Sequence, residues 1–291
     1  MDELYALVPA DTSEQAIIEL WLKQKQPATA RAYLHDLQAF RIAVDKPLNT
    51  VWVSDILCYL DTIGHMARAT RERQIASIKS FYSFARRVGY LPVNVADVIK
   101  LPKKIDTLSQ RILPVSSVHR MIALEQDTRN HIILLLLYAG GLRVSELCQL
   151  QWRHCIERGD AGQISVLGKG EKQREILLSK DTWQAVLSLR SPSASGQDYV
   201  FVSKLYHTAR NESGKLDTAQ IWKIVRAAAI RADIMEDVSP HWLRHAHASH
   251  AIDSGVPISL VRDTLGHGDI RVTGKYVHAH PDDSSARKLG V

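Results

Sequence analysis

Cysteine and long hydrophobic runs are scarce in this 291-residue chain, and each absence limits the class of protein. The three cysteines, Cys58, Cys148 and Cys155, are an odd and scattered set. They do not suggest a disulfide framework, and they lack the second cysteine pair of a typical zinc site. A membrane span needs about 18 or more apolar residues in a row, and the longest candidate, 132–141, is far too short. We expect no bound metal and no contact with a membrane.

The first residues of the sequence do not predict a secretory signal. Asp2 and Glu3 stand near the start, where a signal would have a basic segment before an apolar run, so we expect the protein in the cytoplasm. Apolar residues make up 45% and charged residues 23%, values typical of a folded globular protein. At about 150 residues per domain, the length predicts two domains, or one large one.

Positive charge is concentrated in one segment. The net charge of the chain is +6, yet residues 68–104 alone carry nine lysines and arginines against two acidic residues. Such an excess suits a polyanion such as nucleic acid, although an ordinary solvated helix face has the same composition. At about 100° per residue, Arg68, Arg71, Lys79 and Arg86 fall on roughly a quarter of a helix circumference, beside the apolar stripe. One side of this helix can therefore pack while its border faces a charged partner.

The spacing of apolar residues predicts a helical first domain in residues 1–100 and a mixed second domain in residues 115–291. Residues 101–114 lack amphipathic periodicity, and we interpret them as a linker between the domains. In the second domain, short apolar runs separated by turns from Ile156 to Leu178 are typical of a small antiparallel β-meander. The expected fold class is therefore mainly α, with one small antiparallel sheet. Helices are expected near residues 17–22, 28–42, 54–63, 69–88, 117–124, 130–139, 144–150, 181–189, 218–232, 241–254, 258–265 and 270–278.

Four short segments of the second domain carry polar groups that the fold alone does not require. Arg143 follows Gly140-Gly141-Leu142 at the start of a helix, and Lys169 lies at a hairpin tip between two glycines. His241 and Arg244 are spaced i and i+3, so they share one face of a helix. The last segment holds Leu265-Gly266-His267 and, nine residues after this histidine, Tyr276.

Together these elements resemble the tyrosine recombinase (phage integrase) family, and the overall size is similar to its Xer-type members. No single element is specific, but Arg143, Lys169, His241-x-x-Arg244, Leu265-Gly266-His267 and Tyr276 match in order and spacing over about 135 residues. The resemblance also extends to the first part of the chain. It implies a SAM-like, core-DNA-binding domain before a catalytic domain.

The resemblance implies a role for each matching residue. Tyr276 would attack the scissile phosphodiester and form a 3′-phosphotyrosyl bond, with His241 as the base that takes its proton and Lys169 as the acid that protonates the leaving oxygen. Arg143 and Arg244 would clamp the phosphate, because a guanidinium donates parallel hydrogen bonds and keeps its charge. His267 would add a further donor, and Glu146 would support Arg143.

The resemblance also implies the partners. They are double-stranded DNA at specific core sites and a tetramer on two such sites, made of copies of this chain or of a related recombinase. The expected site of action is the nucleoid. No phosphate-binding loop of the Gly-x-x-x-x-Gly-Lys-Ser/Thr type is present, and we expect neither a cofactor nor a metal. The DNA contacts expected outside the catalytic residues are Arg68, Arg71, Lys79, Arg86, Lys103 and Lys104.

Two other functions remain open from the sequence. A relative that binds DNA without cutting it would be expected to have lost some of the six catalytic candidates, and all six are present. An enzyme that relaxes DNA as type IB topoisomerases do would use the same chemistry without a dedicated site. The target sequence and the biological task, whether dimer resolution, integration, transposition or excision, cannot be read from the residues.

Overall fold

The contacts of the chain separate it into two units, residues 1–105 and 106–291. The structure is a computed structural model that describes residues 7–101, 107–168, 173–203 and 214–277. The predicted fold class is confirmed: the chain is mostly helical and carries a small antiparallel sheet. The boundary at residue 105 falls within the segment that the sequence suggests as a linker.

Helices build the described part of the first unit. Their amphipathic stripes meet in a core that contains Trp21, Phe40, Phe81 and Tyr82, all fully buried. The edge of the Trp21 ring packs on Phe81 with ring centroids 5.5 Å apart, a favourable aromatic arrangement. The helices are α1 (Glu14–Lys23), α2 (Pro27–Val44), α3 (Val53–Thr62) and α4 (Arg68–Arg87).

The second unit is organised around its most apolar helix. This helix, α6, is buried along most of its length, from Ile132 to Leu137, as expected for a helix that is hydrophobic all round. Ile112 and Leu113, at the end of the predicted linker, are buried within this unit. The helices are α5 (Val115–Ala123), α6 (Thr128–Tyr138), α7 (Val144–Gln149), α8 (Lys180–Leu187), α9 (Thr218–Arg231), α10 (Pro240–Asp253), α11 (Ile258–Leu265) and α12 (Ile270–Val277).

The sheet of the second unit is the predicted β-meander. Its strands are β1 (Cys155–Arg158), β2 (Ala161–Leu167) and β3 (Gln173–Leu178), in the order β1-β2-β3 with antiparallel pairing throughout. Ile164 of β2 lies opposite Ile176 of β3, and both side chains are buried. This pair packs β2 and β3 onto the core of the second unit.

Over the ranges that the structure describes, none of the helices has the length and apolar character of a membrane span. The same ranges contain no cluster of three histidine, cysteine or acidic side chains placed to hold a metal ion.

Candidate active site

Three arginines from different elements converge on the last turn of α11. Arg174 of β3 donates its Nε–H to the Thr264 carbonyl at 2.7 Å. Arg244 of α10 donates to the next carbonyl, that of Leu265. Arg143, just before α7, donates to the Gly266 carbonyl at 3.4 Å. Three successive carbonyls at a helix C-terminus carry a partial negative charge, which favours nearby cations.

Glycine lets the backbone take the shape that this site requires. Gly141 has φ +56°, and a Cβ there would lie 2.9 Å from Leu265 and 3.0 Å from the His247 ring. Its carbonyl accepts a hydrogen bond from Arg244. Gly266 ends α11 with φ +63°, and a Cβ there would lie 2.8 Å from Arg174. A side chain at either position would separate the elements that bring the arginines together.

Glu146 joins Arg143 to Arg174. Its carboxylate accepts from the Arg143 backbone N–H and Nη1 at 2.8 Å each, and from both Nη atoms of Arg174 at 2.7 and 2.8 Å. Burial alone would raise the pKa of this carboxyl, but the hydrogen bonds from the two arginines hold the pKa below its ordinary value. The carboxylate is therefore charged and fixes both guanidinium groups.

Arg174 is a member of the site that sequence reasoning missed. Its side chain is only 9% exposed, and it shares one face of β3 with the buried Ile176 and Leu178. The two-residue period of a strand places residues 174, 176 and 178 on that face. An arginine on the buried face of a predicted strand was the signal available in the sequence.

Arg244 is the most deeply buried arginine of the group, with 4% of its surface exposed. Burial and the positive charge of Arg143 lower its pKa to about 9, while the Glu146 carboxylate acts in the opposite direction. Its guanidinium remains charged at neutral pH. Within the described residues, two of its five N–H groups bond to the Gly141 and Leu265 carbonyls, and the other three can bind a ligand.

His241 and His267 lie in the field of these arginines. Desolvation, followed by the positive charges of Arg244 and Arg143, lowers the pKa of His241, although this residue keeps part of its surface exposed. The same causes lower the pKa of His267 to about 4. The Nδ1 atom of His267 lies 2.9 Å from the Thr273 hydroxyl of α12. Both imidazoles are neutral at pH 7.

Tyr276 of α12 is buried against Ile112, Ala248, Val261 and Leu265. Its hydroxyl lies 2.7 Å from Nδ1 of His245. Burial raises the pKa of this phenol, and the positive charge of Arg244 acts in the opposite direction. Among the hydrogen bonds of the described ranges, the Tyr276 hydroxyl is paired with His245 and not with the expected His241. His245 shares the i, i+4 face of His241, which was its signal in the sequence.

The structure thus brings together Arg143, Glu146, His241, Arg244, His267 and Tyr276. Lys169, Lys103 and Lys104 lie outside the described residues. Strand β2 ends at residue 167 and strand β3 begins at residue 173, so Lys169 lies between the two strands in the sequence.

Of the four DNA contacts expected on α4, two side chains are bound to other groups of the protein. Lys79 donates to three backbone carbonyls, those of Ala96, Asp97 and Ile99, at 2.9, 3.0 and 2.5 Å. All three of its N–H groups are used in these contacts, so Lys79 holds residues 96–99 onto α4. This internal role does not favour a DNA contact by Lys79, which stays a prediction. Arg68 pairs with Glu72 one turn later at 2.8 Å. Arg71 and Arg86 are half-buried.

Replacing Glu146 by glutamine is expected to destabilise the second unit by about 3–5 kcal/mol, because it leaves buried guanidinium groups without their counter-charge. Urea unfolding of the full chain, followed by tryptophan fluorescence, measures the change. Glu157→Gln, at an exposed position of β1, is the matched control and should stay within about 0.5 kcal/mol. A Glu146→Gln variant as stable as the control would contradict the role given to this carboxylate.

Acid is expected to destabilise the second unit between pH 6.5 and about 4. Burial lowers the pKa of His245 and of His267 from 6.5 to about 4, so within this window the unfolded chain binds protons that the folded chain does not. The stabilisation is complete above pH 6.5 and is lost as the pH falls. Thermal melting at pH 7 and near pH 5 measures it. His267→Gln should weaken the dependence, whereas His65→Gln, an exposed position of the first unit, should not. A melting temperature that does not change between pH 7 and pH 5 would contradict this prediction.

Comparison with known proteins identifies this arrangement. The profile of the Phage integrase family matches residues 112–282, and that of the Phage integrase, N-terminal SAM-like domain matches residues 17–89. Tyrosine recombinase XerC of Myxococcus xanthus is 31% identical over 276 residues, covering 87% of this chain and 88% of the relative. Tyrosine recombinase XerD of Listeria innocua is 32% identical over 273 residues, covering 86% and 87%.

Solved structures share the fold. XerH site-specific recombinase bound to a palindromic difH substrate has a TM-score of 0.73 at 16% identity, over 95% of this chain and 84% of that one. A lambda integrase dimer bound to a COC′ core site has a TM-score of 0.73 at 14% identity, over 94% and 98%.

The fold and the site define an enzyme of the class that the sequence resembles, and that prediction is confirmed. The chain belongs to the phage integrase family and is a tyrosine site-specific recombinase.

Proposed function

We propose that this enzyme cuts and rejoins double-stranded DNA at a specific core site through a 3′-phosphotyrosyl intermediate on Tyr276. The observation that carries the proposal is the convergence of Arg143 and Arg244 on the C-terminus of α11, which Tyr276 also contacts through Leu265. A cationic pocket beside a phenol suits a phosphodiester that is attacked by an oxygen nucleophile.

Arg143 and Arg244 would bind the nonbridging oxygens of the scissile phosphate. Arg143 is held by Glu146 and the Gly266 carbonyl. Arg244 is held by the Gly141 and Leu265 carbonyls. Each guanidinium makes these bonds with only part of its N–H groups, and the others can bind a ligand. Donors that are oriented before the reaction stabilise the charge of the transition state without a cost of reorganisation. His241 and His267 complete this phosphate site.

In the proposed reaction, the energy of the broken phosphodiester bond is kept in the phosphotyrosyl bond. The Tyr276 oxygen forms a bond to phosphorus, the bond to the 5′-oxygen breaks, and Lys169 is the proposed acid that gives this oxygen its proton. A DNA 5′-hydroxyl can then attack the phosphotyrosine and reseal the strand. No ATP is consumed, because one phosphodiester replaces another.

The basic first unit is proposed to bind the DNA backbone beside the core site. Arg71 and Arg86 of α4 are the favoured contacts, together with Lys103 and Lys104. Solved relatives bound to a difH substrate and to a COC′ core site support DNA as the partner. We extend the proposal to a tetramer on two sites, formed by this chain alone or with a related recombinase, and to the nucleoid as its place of action.

Covalent trapping tests the proposal. Total DNA of the source organism is sheared and nicked, incubated with the full chain, denatured and filtered for fragments that remain bound to protein. Fragments that share one recurring sequence are the expected result. Salt-sensitive binding without any adduct would indicate a relative that only binds DNA. Relaxation of a supercoiled plasmid that lacks the recurring sequence would indicate topoisomerase-like activity instead.

Two substitutions on α4 are expected to separate a structural lysine from a DNA contact. Lys79→Met removes the lysine donor from the Ala96, Asp97 and Ile99 carbonyls and should destabilise the first unit by about 1–3 kcal/mol. Arg86→Met should leave stability unchanged, weaken DNA binding and reduce the slope of log affinity against log salt by about 1. Melting curves and salt titrations with labelled DNA measure both. A loss of DNA affinity without a loss of stability for Lys79→Met, and the opposite for Arg86→Met, would contradict both assignments.

A further inference from the structure

The hydroxyl of Tyr276 has a defined partner on α10. Nδ1 of His245 lies 2.7 Å from the phenol oxygen, and the two ring centroids are 5.7 Å apart. Tyr276 is 4% exposed and Thr273, one turn earlier on α12, is fully buried. Packing therefore fixes the position of the phenol, and its hydroxyl points at one imidazole.

The neighbouring His241 is placed differently. His241 and His245 are one turn apart on α10, and their ring centroids are separated by 6.3 Å. His241 lies towards the exposed side of the helix. Of these two histidines, His245 is the one that lies within hydrogen-bond distance of the Tyr276 oxygen.

We propose that His245 accepts the hydrogen bond of the Tyr276 hydroxyl and takes its proton when the phenol attacks the scissile phosphate. The inference rests on the function proposed above and assigns a further catalytic residue to it. The proton moves from the Tyr276 oxygen to Nδ1 of His245 as the oxygen–phosphorus bond forms. The bond to the 5′-oxygen breaks, and that oxygen takes a proton from Lys169. His245 ends as imidazolium and returns its proton to Tyr276 when the strand is resealed.

The surroundings keep this imidazole ready to accept. Burial lowers the pKa of His245 to about 4, with further contributions from the positive charges of Arg111 and Arg244 and from His241. The ring is therefore neutral at pH 7 and has a lone pair for the phenol hydrogen. A bound phosphate brings negative charge to the same group of arginines, which raises the pKa of His245 again and strengthens it as a base.

The test measures the rate of adduct formation in a single turnover. The substrate is a nicked duplex that carries the recurring sequence from the trapping experiment, with sulfur in place of the bridging 5′-oxygen. A thiolate leaves without a proton, so the rate does not depend on the acid. The variants are His245→Gln, which keeps an acceptor but takes up no proton, His241→Gln and Tyr276→Phe. Melting curves establish that each variant is folded.

The pH profile distinguishes a base from a structural contact. His241 and Arg244 of α10, Arg111, His267 and Tyr276 are the titratable and charged groups that face His245. At pH 7 we expect His245→Gln to react about 100-fold more slowly than the wild type, or slower still, as for the loss of a general base. Its rate should then rise about tenfold per pH unit, because the fraction of phenolate rises in this way at any pH below the pKa of the phenol, and burial raises the pKa of Tyr276 above its ordinary value. The wild-type rate should change little between pH 7 and 9.

Two results would contradict the role of His245, and a third would contradict the function on which it rests. A His245→Gln rate equal to or above that of the wild type would show that the hydrogen bond holds the tyrosine in a resting position. A slow rate for His241→Gln with the steep pH profile, and not for His245→Gln, would make His241 the base. An absence of adduct from the wild type, or an equal yield from Tyr276→Phe, would instead remove the proposed function itself.

Discussion

Tyr276→Phe is expected to abolish the covalent protein–DNA adduct while leaving DNA binding within about twofold of the wild type. Phenylalanine keeps the ring that packs against Ile112, Ala248, Val261 and Leu265, so the fold of α12 should persist. The substitution removes only the oxygen that bonds to His245 and that we propose attacks the phosphate. Without it, the site binds a phosphodiester but has no nucleophile. Gel analysis of denatured reactions with nicked DNA measures the adduct, and a titration with labelled DNA measures the affinity.

Tyr199→Phe is the matched control for this loss. Tyr199 is a half-buried tyrosine of the same unit, forms a backbone bridge with Gln151, and has no part in the site. Its phenylalanine variant should form adduct at the wild-type rate. An adduct of equal yield from Tyr276→Phe would require a different nucleophile and would contradict the assignment.

Arg244→Lys is expected to slow adduct formation by about 100- to 1,000-fold at saturating DNA. The guanidinium of Arg244 bonds to two backbone carbonyls and still keeps N–H groups for the phosphate. An ammonium is a compact charge on a flexible stem and cannot hold this planar arrangement. The loss of one oriented donor to a transition-state oxyanion has an effect of about this size. Single-turnover rates with a nicked duplex measure the effect.

The matched control is Arg226→Lys. Arg226 lies on α9 of the same unit, is half-exposed and pairs with Asp237 at 2.9 Å, an interaction expected to contribute little. Its lysine variant should react at the wild-type rate. An Arg244→Lys rate within about threefold of the wild type would mean that charge alone suffices at this position.

The elements of the fold could be predicted because their signals are local. The stripe of α4 and the turns around β2 are periodic patterns in consecutive residues, and the structure places α4 at Arg68–Arg87 against an expected 69–88. The family could be predicted for the same reason, since the order and spacing of its motifs can be read along the chain.

The contacts within the site could not be predicted in the same way. Arg174, Arg244 and Arg143 are far apart in sequence and meet where three successive carbonyls at the C-terminus of α11 accept from them. The pairing of His245 with Tyr276 depends on how α10 packs against α12, which no local pattern records. Lys79 has the helical position of a DNA contact, yet its reach to Ala96, Asp97 and Ile99 depends on the path of the chain after α4.

The central claim is the phosphotyrosyl bond, and the chemical identity of the adduct tests it most directly. The trapped complex is digested with protease and nuclease, and the peptide that carries nucleotide is sequenced by mass spectrometry. The free DNA end is treated with polynucleotide kinase and labelled ATP. We expect the nucleotide to be linked through its 3′-phosphate to Tyr276, and the released end to accept label directly because it is a 5′-hydroxyl. A nucleotide on another residue, or a linkage through a 5′-phosphate, would contradict the proposed chemistry.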